Sequence, residues 1–99
     1  MKNKELLIPP DAIEDPNSFE ILRLWAAKNE QHVTIRKNLN GSAYEFGYMV
    51  AQLIEHGAIL YSQREGIDIE EARKEIIAGL YDEIKDSSGN ASGSIPTEH

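Results

Sequence analysis

The chain has 99 residues, no cysteine, and seventeen acidic against ten basic side chains, for a net charge of −7. Its length points to a single domain with a small core, because a chain of this size removes only roughly 60 to 65% of its unfolded surface from water. Without thiols there is no disulfide scaffold, thiolate metal site or cysteine nucleophile, and the excess of acid opposes general binding to the phosphate backbones of nucleic acid.

Residues 1–18, MKNKELLIPPDAIEDPNS, read as an N-terminal arm. Leu6, Leu7 and Ile8 are expected as a short strand against a hairpin edge, ended by Pro9 and Pro10, which lack backbone donors. Asp11 to Ser18 then reads as a turn-rich connection, with Asp15 held extended by Pro16. The apolar run after Met1, Lys2 and Lys4 is too short for a secretory signal, so a cytoplasmic location is expected.

An α+β domain is expected over residues 19–86, starting with a β-hairpin at 19–36, FEILRLWAAKNEQHVTIR. Strand side chains alternate between faces. With Lys28 and Asn29 as a two-residue turn, Leu24 falls opposite Val33, Leu22 opposite Ile35 and Trp25 opposite His32. One face then carries Leu22, Leu24, Val33 and Ile35, and the other Ile21, Arg23, Trp25, His32, Thr34 and Arg36. A one-residue slip would destroy that segregation. Lys-Asn is a weaker turn signal than Asn-Gly, although Asn tolerates positive φ, and a loop one or two residues longer is the alternative.

After the loop KNLNG, Ser42 and Glu45 form a capping-box pattern that opens a helix over 43–63. It is apolar around most of its circumference, with Phe46, Met49, Val50, Leu53 and Leu60 on one stripe and Tyr48, Ile54 and Ile59 elsewhere, so it needs cover on more than one side. Glu45, Gln52, Glu55 and His56 interrupt it, leaving no apolar run of the roughly 20 residues that cross a membrane. Gly66 suits the left-handed C-terminal position, and Asp68 with Glu70 and Glu71 starts a second helix over 69–85. Its buried stripe is expected to be Ile69, Ala72, Ile76, Leu80 and Ile84, with Ile77 and Tyr81 beside them. Residues 87–99, small and polar, read as a flexible tail.

No catalytic signature is present: the chain has no GxSxG, P-loop, GxGxxG, HExxH or EF-hand pattern. His32, His56 and His99 are far apart, and no metal or cofactor is expected. His56 is read as a partly buried core histidine. The mixed hairpin face is the one candidate surface. Arg23, Trp25, His32, Thr34 and Arg36 combine forked cations, an aromatic platform and an imidazole. Such residues suit a small anionic ligand, yet cross-strand aromatic pairs and arginine stems also stabilise sheets and interfaces.

The stretches IPPDA at 8–12, DPNSFEILRLWAA at 15–27 and QHVTIR at 31–36 resemble a small bacterial family of uncharacterised proteins, domain of unknown function 5076. The resemblance covers the arm, the hairpin and the two helices. It departs where the family's turn would carry glycine and this chain has Lys28 and Asn29, and where tryptophan would open the helix and Tyr44 stands. It implies a bacterial cytosolic protein and brings no activity, cofactor or catalytic residue.

The expected architecture is two-layered α+β, with the antiparallel hairpin, with or without the N-terminal third strand, packed against two helices. A homodimer through the hairpin is expected, by edges pairing across a two-fold axis or by outer faces stacking. The function that follows is a noncatalytic interaction or structural module. The alternative is binding or turnover of a small anionic ligand at the outer hairpin face.

Overall fold

The computed structural model describes residues 4–88 and the backbone of residues 97–98. In chain order the elements are α1 (Pro10–Glu14), β1 (Leu22–Ala27), β2 (Glu30–Ile35), α2 (Ala43–Glu65), α3 (Ile69–Ser88) and β3 (Thr97–Glu98). The protein is therefore α+β, an antiparallel hairpin and two long helices. It divides into two compact units, Met1–Leu39 with Ile95–His99, and Asn40–Ser94.

In the first unit the hairpin adopts the expected register. Leu22 pairs with Ile35, Leu24 with Val33 and Trp25 with His32. The loop is the two-residue one: Lys28 (φ 51°) and Asn29 (φ 62°) both lie in the left-handed region. Positive φ at both central positions defines the type I′ turn, whose twist matches that of the flanking strands. Lysine reaches this conformation against its intrinsic preference, a cost the cross-strand pairs offset. Of the apolar face, Leu22, Val33 and Ile35 are half-buried while Leu24 remains 57% exposed.

The N-terminal arm departs from expectation. Leu6 to Ile8 form no strand, and Pro10 opens a single-turn-scale helix, α1, with Pro9 as its cap. A proline at the first helical position loses no bond, since that amide has no intrahelical partner, and its fixed φ suits a helix. The two prolines thus start a helix as well as stopping a strand. Asp15 N–H closes α1 on the Asp11 carbonyl (3.1 Å), the Ser18 hydroxyl donates to the Ala12 carbonyl (2.6 Å), and Asn17 N–H donates to the Asp15 carboxylate (2.9 Å). The third strand comes from the other end of the chain: Thr97 and Glu98 pair in parallel with Val33 and Thr34. The rest of the expected tail lies outside the described residues, apart from residues 87–88, which end α3.

The second unit is a helical pair. Ser42 caps α2 as a complete capping box, its hydroxyl accepting from Glu45 N–H (3.2 Å) while the Glu45 carboxylate accepts from Ser42 N–H (2.9 Å). At the other end Gly66 (φ 68°) donates to the Ser62 carbonyl (2.9 Å), which ends the helix at Glu65, two residues beyond the expected boundary. The Ser62 hydroxyl then reaches across the break to the Ile67 carbonyl (2.7 Å).

Close packing of α2 on α3 is confined to small residues. Among the described residues only Ala58 and Ala72 are buried. A side-chain carbon added at Gly57 would lie 3.5 Å from Ile76 Cδ1, so the glycine sits in the same contact zone. Arg73 grips Glu55 across the pair in a fork, Nε to Oε2 at 2.6 Å and Nη2 to Oε1 at 2.9 Å. Of the buried stripe expected on α3, Ala72 is buried and Ile69 and Ile76 are half-buried, but the stripe does not continue further on. Ile77, Leu80, Tyr81 and Ile84 are all exposed. His56 is exposed as well, not a core residue. Two positions from buried Ala58 on a helix of 3.6 residues per turn, it points to nearly the opposite side.

Three outcomes follow for stability. Gly66→Ala should destabilise by about 1 kcal/mol, the cost of a β-carbon in the left-handed region, whereas Gly57→Ala should stabilise by a similar amount through helix propensity with only an ordinary contact added. Chemical denaturation of the pair tests both signs. Hydrogen bonds from Arg73 hold the Glu55 carboxyl below its ordinary pKa. Its contribution is therefore complete above the unfolded value of about 4.3 and is lost as pH falls through the depressed folded value. Glu55→Gln should flatten the acid limb of stability against pH below the unfolded carboxylate value of about 4.3, read by thermal unfolding.

Candidate functional site

The hairpin register brings four of the five predicted surface residues together as two cross-strand pairs, Arg23 with Thr34 and Trp25 with His32. Arg36 lies one pair beyond the strands, its N–H donating to the Ile21 carbonyl (2.9 Å). Period-two alternation places all five on one face because β1 and β2 meet without a bulge.

Three of the five side chains, those of Arg23, His32 and Arg36, are already engaged. Arg23 forms ion pairs with Glu5 (Nη1 to Oε2, 2.6 Å) and Glu20 (Nε to Oε1, 2.8 Å), and these two carboxylates raise its already high pKa, the hydrogen bond to Glu5 contributing most. The Arg36 Nε–H donates to the Glu20 carbonyl (2.7 Å), and its guanidinium lies 5.2 Å from the centroid of Phe19. His32 Nε2–H donates to the Ala27 carbonyl (3.1 Å), which aims the ring at the turn end of the hairpin. Trp25 is half-buried, while Arg23, His32, Thr34 and Arg36 are exposed.

At the open end of the hairpin lies a shallow groove of about 440 Å³, bordered by Arg23, Thr34, Arg36 and Lys37 together with Glu20 and Asn38. The groove adds Lys37 to the cations expected there. Sequence reading of the hairpin face missed Glu5, Glu20, Phe19 and Lys37, all of which lie outside the strands. Strand alternation would set Glu20, three residues before Arg23, on the opposite face, so no spacing in the sequence signalled these partners. No group of His, Asp and Glu among the described residues is arranged to hold a metal ion. No described helix is long and apolar enough to cross a membrane.

A family model described as "Domain of unknown function (DUF5076)" matches residues 5–88, which include every element of the structure except β3. No curated protein matches the chain. Among solved structures, one from the photosynthetic bacterium Rhodopseudomonas palustrus CGA009, described as a "putative pyruvate dehydrogenase", is similar with a TM-score of 0.66 and 18% identity. The similarity covers 85% of this chain and 96% of that one, and at this identity it shows a shared fold.

The Glu5–Arg23 ion pair ties the arm to the hairpin. Glu5→Gln should accelerate amide hydrogen exchange at Ala12 and Ile13, whose amides bond to the Pro9 carbonyl, while leaving β1–β2 amides protected and global stability little changed, as for exposed ion pairs in general. Exchange mapped by mass spectrometry checks this.

Proposed function

Because the chain belongs to the DUF5076 family, whose function is unknown, we propose from its own physics that it is a noncatalytic interaction module, homodimeric through the hairpin. The observation that supports this reading most is the scarcity of burial. Ala58 and Ala72 are the buried residues among those described, and Leu24, Leu53, Leu60, Ile77, Tyr81 and Ile84 are all exposed. A second copy supplies the missing burial most economically, since a two-fold interface reuses the same apolar patch on both sides.

At 18% identity the Rhodopseudomonas structure shares its fold with this chain and no more, so its dehydrogenase description lends this chain no chemistry. A cytoplasmic location belongs to the same reading.

A second reading is favoured by the groove at the open end of the hairpin, where Arg36 and Lys37 stand side by side. It takes a small carboxylate or phosphate. Arg23 contributes little to it, being neutralised by Glu5 and Glu20.

Light scattering decides the first reading. Across micromolar concentrations the expected mass is twice the 11.1 kDa of the chain, and emission from Trp25 should shift to the red only as dilution dissociates the particle. A constant single-chain mass overturns it. For the second reading, thermal shifts across a panel of carboxylates and phosphates should appear and should vanish in the Arg36→Ala, Lys37→Ala double variant.

A further inference from the structure

Among the described residues, β1 is left as an edge strand of the sheet, with no strand paired on its outer side. Antiparallel pairs alternate, so that successive residues send their N–H and C=O groups to opposite sides of the strand. The bond from Arg36 N–H to the Ile21 carbonyl sets the phase. Ile21, Arg23, Trp25 and Ala27 therefore bond to β2, and Leu22, Leu24 and Ala26 aim their backbone groups away from it. On the far side of β2 the edge is taken by Thr97 and Glu98. Among the described residues, no hydrogen bond meets the outward groups of Leu22, Leu24 and Ala26. The strand they belong to, LRLWAA, contains no proline or lysine, its one charge, Arg23, is paired with Glu5 and Glu20, and no bulge interrupts its ladder. Those are the devices that normally keep an exposed edge from pairing.

The geometry points to antiparallel pairing of β1 with β1 of a second copy, about a two-fold axis through Leu24. This rests on the homodimer reading above and names its contact. An axis normal to the sheet keeps like faces together, which limits the choice to registers two residues apart. With Leu24 opposite the partner's Leu24, all three outward residues are bonded, Leu22 to the partner's Ala26 and the reverse. The same register sets Arg23 against the partner's Trp25, a cation beside an aromatic face, on both sides of the axis. Centring on Arg23 instead would oppose two guanidinium groups in the closer kind of pair. A centre on Trp25 would require Leu22 to bond to Lys28, which the turn holds at φ 51°. Only the Leu24 register satisfies backbone and side chains together, and it runs one sheet through both copies.

The absence of cysteine makes the test clean. Directly opposed residues in a hydrogen-bonded antiparallel pair have α-carbons about 5.5 Å apart, inside the disulfide range of about 4.4–6.8 Å. Full-length Leu24→Cys under mild oxidation should convert to a disulfide-linked dimer, whereas Gln31→Cys, on β2, should not. Leu24→Pro removes an outward donor that the β1–β2 ladder does not use, and should halve the light-scattering mass while far-UV circular dichroism is kept. If that variant unfolds, the cysteine pair decides. A wild-type dimer whose Leu24→Cys form stays uncross-linked overturns the edge pairing and leaves the homodimer reading standing. A wild-type chain that is monomeric throughout overturns both.

Discussion

The pairing register of β1 and β2 is the constraint from which the rest of the first unit follows. Two left-handed residues, Lys28 and Asn29, close the turn with the twist the strands need, and every cross-strand neighbour from Ala27–Glu30 to Leu22–Ile35 is then set. A shift by one residue would exchange the apolar and mixed faces, so turn and pattern must agree. That agreement carries outward. It decides which amides of β1 serve β2 and which face the open edge. It also places Arg23 where Glu5 and Glu20 reach it from the arm and the strand approach.

The helical pair rests on a different principle. Its inner contact is made of alanine, with Gly57 beside it, so the two backbones approach closely over a short length, and the Arg73–Glu55 fork bridges the pair at that level. Small side chains give closeness but little apolar area. The bulky residues of α2 and α3 are distributed elsewhere around the helices, with Leu53 60% and Leu60 53% exposed. Helices with apolar side chains on more than one side are those expected to meet more than one neighbour.

Sharing a fold with the Rhodopseudomonas structure at 18% identity is a statement about backbone path. Function resides in side chains, and the same scaffold commonly serves unrelated roles. What this chain places on its scaffold is an arginine, Arg23, paired with its own acids, a tryptophan half-withdrawn from water, and a strand edge whose outward groups meet no hydrogen bond among the described residues.

Much of this was legible in the sequence because it depends on neighbours in the chain. Period-two alternation determined the hairpin faces and register, Ser42 with Glu45 determined where α2 begins, and Gly66 determined how it ends. Each rests on a local geometric preference that no distant residue overrides. The double proline was ambiguous locally, able to end a strand or start a helix, and the fold chose the helix. The engagement of Arg23 by Glu5, the fork from Arg73 to Glu55, the exposure of His56 and the parallel strand from Thr97 and Glu98 needed the tertiary structure. They join residues far apart in the chain or depend on which of several apolar sides finds a neighbour, and periodicity gives a side chain's direction along its own element but not what stands opposite it.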